Sequence, residues 1–265
     1  LLKALIYLVD LQSLEPLVNL RSLNVRDSPN LTDIDALSAL TNLRVLTVAN
    51  TAITSLDPVV GLTGLIELNA FANLMLSDFS ALSSLVNLRE LNLIATNLAD
   101  LEDMEGLNQL RELQVSSTPV SDLSPIAGLS ELNSLGLSST QVSDIDVLSA
   151  LDNMQFVAFD QTLVSDIAVV ANWPELRQIR ASFCPIQDIS ALHELTELEL
   201  VNIDFTLVSD LLPLVNNPAI GRRTLISISG NTFDTLSHCA LIAELEARGV
   251  WVAGVPEPCP DVIYF

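Results

Sequence analysis

Leu110–Glu131 reads LRELQVSSTPVSDLSPIAGLSE, and the next 22 residues, Leu132–Asn153, read LNSLGLSSTQVSDIDVLSALDN. Laid over each other, they keep Leu at the first and fourth places, an aliphatic at the sixth and Thr at the ninth. Val, Ser-Asp and three more spaced aliphatics follow in both. This is one unit written twice. A fixed period of this length means stacked copies, none of which can bury its apolar face alone. With the first Leu as anchor, the unit recurs at Leu20, Leu43, Leu65, Leu88, Leu110, Leu132, Met154, Leu176, Leu198 and Ile220. Asp10 to Leu17 fits the back half of an earlier copy, with residues 1–9 as its degraded front. Extra residues enter at Arg26–Asn30, Ala70–Leu76 and Gly221–Leu225, and are expected to bulge out as loops.

Each copy changes period halfway. The L-x-x-L-x-L half ends in alternation, as in Leu113-Gln114-Val115, which predicts a short strand with one buried face. The second half, Val120 to Leu129, spaces its apolar residues three apart, which suits a 3₁₀ turn. One strand and one turn per copy, all strands in the same direction, predicts a parallel sheet.

Two polar columns run through the copies. The first is Ser28, Thr51, Asn73, Thr96, Thr118, Thr140, Thr162, Cys184, Thr206 and Asn231, small side chains suited to satisfy buried backbone where each strand ends. Cys184 therefore reads as a buried column member, not a reactive thiol. The second is Asp10, Asp33, Ser55, Asp78, Asp100, Asp122, Asp144, Asp166, Asp188 and Asp210. Its residues are placed to cap turns, with Pro58, Pro125 and Pro213 at helix-start positions. The alternative reading is a calcium rail of stacked carboxylates, without the D-x-D-x-D-G spacing.

The pattern L-x-x-L-x-L-x-x-N/C-x-L, seen as Leu88, Leu91, Leu93, Thr96 and Leu98, resembles the leucine-rich repeat family. The unit length and the S-D-L-S-P-L-type second half are similar to its bacterial, internalin-like subclass, over about residues 5–236. The column position is mostly Thr here, where that family usually has Asn. The resemblance implies an α/β right-handed leucine-rich-repeat solenoid, a horseshoe with the parallel sheet on its concave face. It also implies an extracellular or bacterial-surface setting. Residues 1–236 would form the repeat array and residues 237–265 a C-terminal cap. In the cap, Leu236–Arg248 is spaced as a helix, Gly249 can end it, Val250-Trp251-Val252 reads as a strand, and Pro-Glu-Pro-Cys-Pro follows as a tail. The run Cys239, Ile242, Leu245, Gly249, Val250 and Val252 looks like the cap that follows bacterial repeats of this kind. A disulfide between Cys239 and Cys259 is expected there, and with it an oxidising compartment. The chain opens inside a repeat at Leu1, so an N-terminal cap is expected upstream.

The 265 residues carry 11 basic and 33 acidic side chains, a formal charge of −22. That argues against phosphate-mediated nucleic-acid binding and against anionic membranes. Apolar residues make up 49% of the chain, but no run is long enough to span a bilayer. No C-x-x-C pair, G-x-S-x-G or H-E-x-x-H occurs. The two histidines, His193 and His238, have no nucleophile at a motif spacing. Neither catalysis nor a cofactor or metal centre is expected.

The exposed places of the strand half hold seven of the basic and seven of the acidic residues, so the strip is neutral and the rest of the chain carries the whole charge. Over the first five strands, pairs such as Glu67–Arg89 and Glu90–Arg111 are expected. Further on, Phe156, Phe183, Leu200 and Phe205 join Asp160, Arg177, Arg180 and Asp204, residue types that anchor interfaces. Those eight form the expected partner site, unless loops bury the rings. Phe71 and Ile94 make a smaller second patch, and Trp173 replaces a core Leu. The expected function is non-catalytic recognition of a protein, with bacterial adhesion or host contact as its setting. The alternatives are a spacer whose acidic back binds divalent cations, and the targeting part of a larger enzyme.

Overall fold

In the computed structural model, residues 8–233 and 235–255 are described, and the chain divides into two compact units, residues 1–136 and 137–265. The first contains β1 (Ser22–Asn24), β2 (Val45–Thr47), β3 (Glu67–Asn69), β4 (Glu90–Asn92), β5 (Glu112–Gln114) and β6 (Ser134–Gly136). Each pairs with the next in parallel and in register, Leu23 beside Leu46 and Leu46 beside Leu68. The second contains β7 (Phe156–Ala158), β8 (Gln178–Arg180), β9 (Leu200–Asn202), β10 (Leu225–Ser227) and β11 (Trp251–Ala253), paired the same way. Between strands the chain returns through short 3₁₀ turns such as Ser124–Ile126 and Asp146–Leu148. The repeat period thus gives the leucine-rich-repeat fold in both units.

The anchor column and both Leu positions of L-x-L are buried in copy after copy, for instance Leu110, Leu113 and Val115. Trp173 is fully buried as a core residue, and its indole N–H donates to the Leu148 carbonyl at 3.3 Å.

Both polar columns act as the sequence suggests except at Ser28, whose buried hydroxyl has no hydrogen-bond partner among the described residues. Thr96, Thr118, Thr140 and Thr162 each donate a hydroxyl hydrogen bond to the carbonyl three residues back, at 2.6–2.8 Å, whereas Thr51 and Thr206 share their single hydroxyl proton between that carbonyl and the column asparagine of the next copy. The two asparagines do more. Asn73 donates to the Val48 and Ala70 carbonyls and accepts from the Thr51 N–H and hydroxyl, so it ties two copies together. Asn231 does the same for Ile203, Ile228 and Thr206. Cys184 is buried, donates to the Phe159 carbonyl at 3.1 Å, and has its thiol pushed up by burial.

Every member of the second column, from Asp10 to Asp210, accepts the N–H two residues on and so seats the following turn. Hydrogen bonds from the Ser80 hydroxyl and N–H hold Asp78 below the usual carboxylate range, and Ser124 does the same for Asp122. For Asp188 the Ser190 N–H leads and the hydroxyl follows.

The second unit ends in α1 (Leu212–Val215) and α2 (Thr235–Ala247). Gly249, at φ +84°, closes the latter before β11. Arg248 fastens this end: its guanidinium donates to the carbonyls of Val215, Asn217 and Ile220, capping the end of α1. Cys239 is buried on α2. Cys259 and the Pro256–Pro260 tail lie outside the described residues.

Candidate recognition surface

All eight residues expected to contact a partner lie in the second unit, and the structure sorts them into two groups. Phe156, Arg177, Arg180 and Leu200 stand on or beside strands β7 to β9. Phe183 and Phe205, with Asp160 and Asp204, stand at the corner where the chain leaves strands β7 to β9.

The corner is one backbone column. Asp27, Asn50, Ala72, Ala95, Ser117, Ser139, Gln161, Phe183 and Phe205 all have φ between 53° and 60°, and Gly230 at φ +72° ends the series. The turn demands this left-handed conformation, and the N–H at this position donates to the next copy, Phe183 to the Asp204 carbonyl at 2.8 Å and Phe205 to the Ser229 carbonyl. Asn, Asp and Gly accept such a φ readily, whereas it costs a bulky side chain roughly 1–2 kcal/mol. Two phenylalanines are nevertheless held there. Their rings stack with centroids 4.5 Å apart and planes within 5°, worth about 0.5–1.5 kcal/mol beyond area. A Cβ at Gly230 would stand 2.3 Å from the Phe205 ring, so the ring lies on the glycine. The phenylalanines are still 53% and 51% exposed; no loop among the described residues covers them. Leu163, Pro185 and Leu207, two residues further along each copy, are exposed beside them.

The charged members of the expected site are tied into the scaffold. Asp160 accepts from the Ser182 N–H at 2.9 Å and the Ser138 hydroxyl at 3.1 Å, and Arg180 lies 3.6 Å from its carboxylate. Asp204 accepts from the Ser229 N–H and the Ser227 hydroxyl. Both aspartates bridge neighbouring copies. Arg177 pairs with Glu199 at 3.2 Å; such exposed pairs contribute about 0–1 kcal/mol. Phe156 and Leu200 are half-buried on the strand face. Two residues absent from the expected set extend their row: Leu225 lies beside Leu200, and Trp251, 72% exposed, lies beside Leu225. The three inserted residues before β10 shift Leu225 out of simple count, and realigning on Ile226 would have found it.

In the first unit the same row is acidic. Glu67, Glu90 and Glu112 stand side by side in register and line a shallow cavity of about 190 Å³ with Asn69, Asn92 and Gln114. The expected pairs Glu67–Arg89 and Glu90–Arg111 do not form; Arg111 turns instead to Glu131 at 3.5 Å. Partial burial, then the charges of Glu90 and Glu67, push the Glu112 carboxyl up. Phe71 and Ile94 are half-buried rather than open. Among the described residues, no group of three or more His, Cys, Asp or Glu is arranged to hold a metal ion, and no helix is long and apolar enough to cross a membrane.

Residues 18–61 match the family model for leucine-rich repeats (two copies). A search of curated protein sequences gives no match. Among solved structures, the chain is similar to an internalin, InlF, from Listeria monocytogenes, at 26% identity and a TM-score of 0.84, over 93% of this chain and 73% of that one. It is similar to internalin C2 from the same organism at 30% identity and a TM-score of 0.66, over 75% of this chain and 82% of that one. A plant peptide hormone receptor, RGFR1, solved in complex with RGF2, shares the fold at 13% identity and a TM-score of 0.61, over 92% of this chain and 53% of that one. The fold is one typical of protein-interaction modules. Repeat, strand register and these likenesses agree: the chain belongs to the leucine-rich-repeat family and is internalin-like.

Proposed function

We propose that the chain is a non-catalytic module that recognises a protein partner through the second unit, in a bacterial extracellular or cell-surface setting, with adhesion or host contact as its use. The observation that carries this reading is the Phe183–Phe205 stack, half exposed and held on a backbone that disfavours bulky side chains. Strained positions persist where the side chain has a use, and exposed aromatics are the usual interface anchors. Phe156, Arg177, Arg180 and Leu200 form the adjoining part of the surface, and Leu225 and Trp251 extend it. Asp160 and Asp204 belong to the same surface and also hold the corner in place. The plant receptor with this fold, solved with RGF2, supports a recognition role.

The test is site-specific cross-linking. Phe183→p-benzoylphenylalanine should give discrete adducts with an extracellular protein, whereas the same change at Gln114 in the first unit should give none. Equal adducts from both positions would overturn the reading.

A Cys239–Cys259 disulfide belongs to the same proposal, since it places the chain in an oxidising compartment. Alkylation of the unfolded, unreduced protein should label Cys184 alone; three labelled cysteines would remove the disulfide and the compartment with it.

A further inference from the structure

We infer that the Phe183–Phe205 corner takes a cationic, apolar protein segment, one with apolar side chains at its centre and lysine or arginine on its flanks. This rests on the recognition reading above and adds the partner's charge. Three successive copies present Gln161-Thr162-Leu163, Phe183-Cys184-Pro185 and Phe205-Thr206-Leu207. The middle residue of each is buried, and the outer two are exposed. None of the nine is charged, in a chain whose formal charge is −22.

Carboxylates border this apolar ridge on both sides. Three residues beyond Leu163, Pro185 and Leu207 come Asp166, Asp188 and Asp210, all exposed. Each gives one oxygen to a turn N–H and keeps its charge outward. None of the three enters an ion pair among the described residues. The Ser190 hydrogen bonds hold Asp188 below the usual carboxylate range, so it is ionised at neutral pH. On the strand side stand Asp160 and Asp204, of which Asp160 alone has a cation beside it, Arg180. A segment lying on the ridge therefore meets apolar contact at its centre, a negative row at Asp166, Asp188 and Asp210 on the turn side, and the charge of Asp204 on the strand side. Exposed charges act over about 8 Å at physiological salt, which spans the reach of a flanking lysine. A second copy of this chain is disfavoured as occupant, because ridge against ridge would oppose like-charged rows. Anionic surfaces are disfavoured for the same reason.

The test uses two fluorescent peptides and the full chain. One peptide has four alternating leucines and phenylalanines flanked on each side by three lysines; in the other the lysines are glutamates. Fluorescence anisotropy should give at least tenfold tighter binding of the lysine-flanked probe at low salt. F183N/F205N keeps the backbone, since Asn tolerates this φ, and should lose that binding tenfold or more. D166N/D188N/D210N keeps the turn caps, and should narrow the preference between the probes severalfold. Equal binding of both probes, with loss in F183N/F205N, would overturn the charge selection and leave the apolar corner standing. Unchanged binding in F183N/F205N, or no binding of either probe, would overturn both. A concentration-dependent dimer in sedimentation that F183N/F205N abolishes would assign the ridge to a second copy and overturn the inference.

Discussion

The two units carry the same buried columns and opposite surfaces. In the strand row that runs across the sheet in register, the first unit has Ser22, Val45, Glu67, Glu90, Glu112 and Ser134, whereas the second has Phe156, Gln178, Leu200, Leu225 and Trp251. In the corner column the first unit has Asp27, Asn50, Ala72, Ala95 and Ser117, and the second has Ser139 and Gln161 and then Phe183 and Phe205. Buried positions hold the copies together and tolerate little change. The exposed positions contribute little to stability, so they are free to carry recognition chemistry. The first unit spends its row on three like charges held in register, a mildly unfavourable arrangement. The second accepts left-handed phenylalanines, also unfavourable. In each case the surface departs from what the scaffold alone would select.

If the scaffold is common to both units, breaking equivalent buried bridges should cost the same in each. Asn73→Ala removes two donated and two accepted hydrogen bonds, and Asn231→Ala removes the matching four. Each should destabilise by roughly 3 kcal/mol, since buried backbone groups lose their partners. Chemical denaturation measures this, and a markedly smaller loss in one unit would break the equivalence. The next effect comes from writing the first unit's row into the second. Leu200 and Leu225 are register neighbours, so L200E/L225E should cost about 1 kcal/mol, more than the two single changes summed, because like charges then face each other. A double-mutant cycle reads the excess directly.

The smallest effect has a pH signature. Glu112 is raised above its ordinary value, so the folded chain holds the extra proton in the window upward from pH 4.5. Stability from this group is present below that window and lost as pH rises through it. E112Q should therefore stabilise at neutral pH by roughly 0.5 kcal/mol, with the gain vanishing below pH 4.5. Asp122 carries the opposite sign: its lowered value gives stability above pH 3.8 that is lost as pH falls through the folded value. Melting curves of E112Q and D122N across pH 3 to 7 separate the two.

Most of the scaffold was legible in the sequence, because burial repeats. The anchor spacing located the strands, the small polar column located the strand ends, and the Asp column located the turn caps. The surface was legible only in part. The count from each anchor places Glu67, Glu90 and Glu112 side by side, yet charge alone suggested pairing with Arg89 and Arg111. Register overrode that, since residues at the same count become direct neighbours. That Asp160 and Asp204 also bridge neighbouring copies was not legible, because composition does not reveal that the next copy's N–H lies opposite. The left-handed corner did leave a trace: Asp27, Asn50 and Gly230 are residues suited to positive φ. The two phenylalanines in that column hid the rule and proved to be its most informative exceptions.

The most direct test of this division between the units is a calorimetric titration of the lysine-flanked peptide into three proteins: wild type, F183N/F205N and E67Q/E90Q/E112Q. Recognition by the second unit predicts at least a tenfold loss of affinity in F183N/F205N and a change within twofold in the glutamine variant. The reverse pattern, with the glutamates carrying the affinity and the phenylalanines dispensable, would contradict it.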